Sequence, residues 1–98
     1  MFHINIHCKP KKENLQYYGK IIGAYAVILI DYKDYDGAIE LAKFYVIENG
    51  WKIIEIEEEY FTFDSKDDLG DDYQEYYDEV KEYGYSMVFN MYNEIEED

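Results

Sequence analysis

The run Ala24-Tyr25-Ala26-Val27-Ile28-Leu29-Ile30 constrains this chain more than any other feature. Side chains alternate across a strand, so Tyr25, Val27 and Leu29 go to one face and Ala26, Ile28 and Ile30 to the other. The run is far short of the roughly 20 apolar residues that a membrane helix needs. Apolar on both faces, it reads as a central strand of a sheet. The remaining residues must therefore supply neighbouring strands and cover for two faces. Something must lie over the second face, either another copy of the chain or the segment from Leu15 to Gly23 folding back.

The flanking sequence supplies those strands. Phe2, Ile4, Ile6 and Cys8 alternate with His3, Asn5 and His7, the period of a strand with one buried face, and Pro10 is expected to end it. Gly19 and Gly23 are expected bends in the looser stretch that follows. Asp34 or Asp36 can cap a helix carrying Ala38, Leu41, Ala42 and Tyr45 at helical spacing, and Asn49-Gly50 is a stop signal. Trp51 to Glu57 reads as a third strand, continuing through Tyr60, Phe61 and Phe63. An acidic loop from Asp64 to Asp72 then leads into a second helix. Its stripe is Tyr73, Tyr76, Tyr77, Val80 and Tyr83, and Gly84 stops it. Met87 to Tyr92 is a final strand, and 93–98 an acidic tail.

The expected order is β–β–α–β–α–β in one α+β domain spanning residues 1–98. That order suits a ferredoxin-like two-layer sandwich, with a mostly antiparallel four-stranded sheet and both helices on one face. A composition 48% hydrophobic and 19% aromatic, with one Pro, excludes a disordered chain.

Charge is divided unevenly along this domain. Of the formal net charge of -14, residues 1–54 carry seven Lys against six acids, a net of +1; residues 55–98 carry two Lys against seventeen acids, a net of -15. All nine basic residues are Lys, so no guanidinium is present to grip phosphate in a bidentate fork. Such a field repels nucleic acid and anionic membranes and attracts basic surfaces. Cys8 is the single cysteine, which rules out an internal disulfide; with no signal-peptide pattern at the N-terminus, the expected compartment is the cytoplasm.

The acids of the second helix have a pattern. Asp71, Glu75, Asp78 and Glu82 fall at i, i+4, i+7 and i+11 and share one side, with Asp72 and Glu79 flanking. Carboxylates one turn apart lie about 5–6 Å from each other, similar to phosphates along a nucleic-acid strand. A solvated helix face is the common reading of a charge run. Here, however, only Lys81 relieves the i,i+4 repulsion within the helix, and each like-charge pair costs a few tenths of a kcal/mol. Stability alone does not favour so one-sided a row. The thirteen Tyr add amphipathic anchors that pair with Lys or Arg by cation–π contact. Tyr60 and Tyr85, near element ends, are the candidates.

Other chemistries find little purchase. A calcium loop counted from Asp64 would put Lys66 at its third position and Leu69 at its sixth, where an oxygen ligand and a Gly are needed. His3 and His7 share a strand face but lie about 13 Å apart, and Cys8 points the other way as a small core residue. Only Ser65, Ser86 and Thr62 bear aliphatic hydroxyls, and no Gly-rich phosphate loop, Cys-x-x-Cys or His-Glu-x-x-His occurs. No enzyme activity, metal or cofactor is expected.

The resulting expectation is an acidic protein–protein inhibitor of a basic, nucleic-acid-acting partner, a nuclease or a nucleic-acid-binding complex. It would be a nuclease-toxin immunity protein or a phage anti-defence nucleic-acid mimic such as an anti-CRISPR. Asp71, Glu75, Asp78, Glu82, Glu57 and Glu58 would be its contacts and Tyr60 and Tyr85 its anchors. The alternatives are a self-associating structural or interaction module, for example a homodimer, and an acidic cation-binding protein.

Overall fold

A computed structural model describes residues 1–93, apart from the side chain of Asp72. The tail expected over 93–98 lies, beyond Asn93, outside the described residues. β1 (Phe2–Pro10) and β2 (Gly23–Ile30) form the middle of the sheet, antiparallel, from Phe2 opposite Ile30 to Cys8 opposite Ala24. α1 (Tyr35–Glu48), β3 (Trp51–Ile56), β4 (Phe61–Thr62), α2 (Gln74–Tyr83) and β5 (Tyr85–Tyr92) follow. The strand order is β3-β1-β2-β5, with β4 on the same edge of β1 as β3 but further along. All pairings are antiparallel. The chain is thus an α+β fold of order β-β-α-β-β-α-β, and no helix is long and apolar enough to cross a membrane among the described residues.

The 24–30 run is an internal strand as expected, with every residue of β2 buried except Tyr25. Its two faces are covered by different helices. Ala24, Ala26, Ile28 and Ile30 join Ile4, Ile6, Cys8 and Trp51 under Ala38, Ala42 and Val46 of α1. Val27 and Leu29, which point the other way, pack with Phe63, Leu69 and Val80 of α2. The expectation of both helices on one face is therefore corrected, as is the count of four strands. The 15–23 segment does not cover the second face. Tyr73, Tyr76, Tyr77 and Val80 cover the half that holds Val27 and Leu29 instead, Tyr83 of the expected stripe being exposed, while Tyr17 and Ile21 of that segment pack on the α1 side.

Local chemistry sets the boundaries. The Asp34 carboxylate accepts a 2.7 Å hydrogen bond from the Gly37 N–H, capping α1, and Gly50 and Gly84 take φ of +88° and +89° after the two helices. β1 ends at Pro10, as expected. Lys11 N–H bonds to the Gly50 carbonyl on the β3 side, so the donor that Pro10 lacks would point to the other side, where β2 pairing has stopped at Ala24. Gly23 is a strand residue and not a bend: a Cβ there would lie 2.5 Å from the Tyr92 hydroxyl. The third strand does not run through to Phe63. It breaks over 57–60 and resumes as β4, because the glutamates of 57–59 have no buried face to occupy. Asp71–Tyr73 form a 3-10 turn ahead of α2.

Candidate partner-binding surface

α2 buries Val80 and half-buries Tyr73, Tyr76 and Tyr77, which tilts its other side outward. Glu75, Asp78 and Glu82 are all exposed on that outer side, and Asp71 is exposed on the preceding turn. Helical spacing thus puts Glu75, Asp78 and Glu82 on one side of α2, while Asp71, expected in the same row, lies outside the helix on the 3-10 turn.

The two lysines of this half are both engaged beside it. Lys66 Nζ lies 3.3 Å from Asp78 Oδ2, and Lys81 Nζ sits 5.7 Å above the Tyr77 ring. Ser86 donates a 2.8 Å hydrogen bond to Glu79, which draws that carboxylate toward β5. Asp71, Glu75 and Glu82 have no lysine within ion-pair distance among the described residues. Burial, together with Glu75 and Glu79, pushes the Tyr76 hydroxyl above its ordinary value, one sign of the local negative field.

Not every acid nearby is free to meet a partner. Asp68 accepts hydrogen bonds from the Asp64 and Ser65 N–H groups at 3.0 and 3.2 Å, which hold its carboxyl below the usual range. It ties off the loop ahead of α2, and the Tyr77 hydroxyl reaches the Asp64 carbonyl at 3.4 Å. The loop is thereby fixed to the helix.

Glu57 and Glu58 are exposed in the β3–β4 connection, where the Glu57 N–H is anchored on the Asn5 carbonyl. The Glu57 charge acts on His3, whose ring is 5.8 Å from Tyr73 ahead of α2. Tyr60 and Tyr85 are placed elsewhere. Tyr60 stacks on Tyr35 of α1 at 3.9 Å, and Tyr85 stacks on Tyr45 of α1 at 4.0 Å. Both belong to the α1 side of the sheet and are not brought together with the carboxylate row.

The second face also holds what the sequence did not signal. His3, Phe61, Phe63, Asp68, Leu69 and Tyr73 surround a cavity of about 270 Å³. Of its lining groups, Asp68 is engaged by backbone N–H groups, and burial holds His3 below its ordinary value. Farther along, beyond the reach of α2, His7 and Tyr25 stack at 4.4 Å and Tyr92 shares a 2.6 Å hydrogen bond with His7. Cross-strand register brings these rings together; helical and strand periodicities alone do not reveal it. Cys8 is buried under α1, and burial pushes its thiol up to about 12, so it stays protonated and unreactive. No group of three His, Cys, Asp or Glu side chains able to hold a metal ion occurs among the described residues. Comparison with protein-family models, curated proteins and solved structures finds no match to this chain.

Proposed function

We propose that this protein is an acidic protein–protein inhibitor that neutralises a basic, nucleic-acid-acting partner, as a nuclease-toxin immunity protein or a nucleic-acid mimic of the anti-CRISPR kind would. The carboxylate row of Asp71, Glu75, Asp78 and Glu82 carries this reading. Its three helical members are exposed on a helix whose inner side is packed, Asp71 is exposed on the turn before it, and all but Asp78 lack a compensating lysine among the described residues. A row held on a helix backed by a sheet needs little reordering on binding, and a preorganised surface loses less entropy when it docks. Its field draws a basic groove in by electrostatic steering and repels nucleic acid and anionic membranes. Glu57 and Glu58, exposed in the β3–β4 connection, add to the same negative field. Tyr76 and Tyr77, half-exposed beneath the row, supply aromatic contact area for Lys or Arg in place of Tyr60 and Tyr85.

Affinity capture of the tagged protein from lysate of its native host, washed at low and at high salt, tests the proposal. The expected result is one basic nuclease or nucleic-acid-binding complex held at low salt and released by about 0.5 M salt, where exposed charges are screened beyond a few Å. Capture of no specific protein, or of one whose binding ignores salt, would overturn it.

A further inference from the structure

We infer that the outer edge of β5 is a dimerisation edge, pairing antiparallel with β5 of a second copy of this chain. The inference is independent of the α2 surface. β5 pairs with β2 along its whole length, from Tyr85 opposite Ile30 to Tyr92 opposite Gly23. The Asp31 N–H bonds to the Gly84 carbonyl, which sets the phase of the ladder. Ser86, Val88, Asn90 and Tyr92 thus turn their backbone groups toward β2, and Tyr85, Met87, Phe89 and Met91 turn theirs outward. No strand takes up that edge among the described residues.

The two edges of the sheet differ in how they are protected. Monomeric proteins blunt an edge with charge, Pro, bulges or shortness. β3 has all but the proline: six residues, Lys52 and Glu55, and an extra residue, Ile54, that breaks its register against His7 and Cys8. β5 has none of these. Its eight residues, Tyr-Ser-Met-Val-Phe-Asn-Met-Tyr, contain no charge, Pro or Gly in a chain that is 33% charged. The margins are apolar as well. Phe44, 54% exposed, leans on Tyr45, which stacks on Tyr85. On the other side Tyr83, 67% exposed, borders a groove lined by Tyr85, Ser86, Met87 and Glu79.

Charge selects the occupant. Along the edge itself β5 offers a basic peptide no carboxylate to pair with. Two copies of a chain of net charge -14 repel each other over most of their surface, yet here they can meet without opposing charged strand residues. Antiparallel pairing sets the Tyr85 end of one strand beside the Tyr92 end of the other. Since α2 covers only the Tyr85 half of the sheet, the two acidic helices then sit at opposite ends of the joint. The isologous contact closes on itself, joining two sheets into one. Because residual repulsion is all that salt weakens in this contact, association strengthens as salt rises. That is the reverse of the behaviour expected of a partner bound on α2, so failure of one reading does not entail failure of the other.

Sedimentation equilibrium of the intact chain from micromolar to millimolar concentration, at low salt and at about 0.5 M salt, tests the inference alongside amide hydrogen exchange. The expected mass rises from 11.8 kDa toward twice that value, more readily at high salt. The amides of Met87, Phe89 and Met91 become protected as it does. Met91→Pro removes an outward N–H without touching the β2 ladder and should return the chain to single mass with its melting unchanged at low concentration. Met91→Glu, which places a charge on the edge, should do the same if the proline variant folds poorly. A single-chain mass at every concentration and salt, with rapid exchange at those amides, would overturn the inference. So would a dimer that folded Met91→Pro or Met91→Glu leaves intact.

Discussion

α1 lies against eight buried residues of β1, β2 and β3, and its own inward side chains are Ala38, Ala42 and Val46, small enough for the helix to sit close. α2 meets its face of the sheet through the long bodies of Tyr73, Tyr76 and Tyr77, with Val80 its one buried residue, and it reaches only half of that face. Their outer sides differ in the same sense. Glu40 of α1 is paired with Lys43 at 3.0 Å, whereas Glu75 and Glu82 of α2 have no such partner. α1 is capped by the Asp34 side chain, and the residue in that position before α2, Tyr73, makes no side-chain cap. Apolar burial is the main source of stability in a domain of this size, so α1 holds the fold together. α2 is added with a thin core and a repulsive exterior. A helix of that kind is poor structural material, and its charge is better explained by what it meets outside the molecule.

That contrast can be broken from either side. The largest effect is expected at Trp51, stacked 5.0 Å from Phe89 and 5.6 Å from Tyr17 on the α1 face. Trp51→Ala should cost about 3–5 kcal/mol in urea unfolding, against about 2 kcal/mol for Val80→Ala on the α2 face. Equal losses would erase the asymmetry. Removal of the α1 cap by Asp34→Ala should cost about 1 kcal/mol, measurable as a lower melting temperature.

Acid should act on the α2 side first. Burial depresses the folded-state value of His3 below its ordinary 6.5, so the unfolded chain takes up this proton more readily. The stability tied to neutral His3 is whole above about pH 6.5 and is lost as pH falls toward the folded value. His3→Gln should flatten the melting curve in that window. Asp68 follows at lower pH: its folded value lies below 3.8, so its contribution stands above that pH and is lost as pH drops further. The smallest effect on folding is expected from the outer row itself. Joint replacement of Glu75, Asp78 and Glu82 by Lys loses one ion pair and relieves several like-charge contacts, leaving stability within about 1 kcal/mol.

Much of this arrangement was legible in the sequence because it rests on local rules. Asp34, Gly50 and Gly84 act on the backbone within one turn, and the 24–30 run states its own need for cover. What supplied that cover was not legible. The stripe of Tyr73, Tyr76, Tyr77 and Val80 shows that α2 has an inner side, yet which sheet face it meets depends on the path of 57–70. There the chain leaves β3, takes two residues of β4 and passes beneath with Phe63 and Leu69. Glu75, Asp78 and Glu82 were readable as a row because helical spacing alone defines it, whereas the 3-10 turn that takes Asp71 off the helix was not. The placement of Tyr60 and Tyr85 was not, because their partners Tyr35 and Tyr45 are more than twenty residues away in the chain.

The division between a folding side and a binding side is tested most directly by a matched pair of charge reversals in the same host-lysate capture. One variant carries Glu75→Lys, Asp78→Lys and Glu82→Lys on α2. The other carries Asp36→Lys, Glu40→Lys and Glu48→Lys, equally exposed on α1. Both shift net charge by the same amount. Loss of the captured partner with the α2 variant alone, both proteins remaining folded, is the expected result; equal loss with both, or with neither, would contradict a binding role for the α2 row.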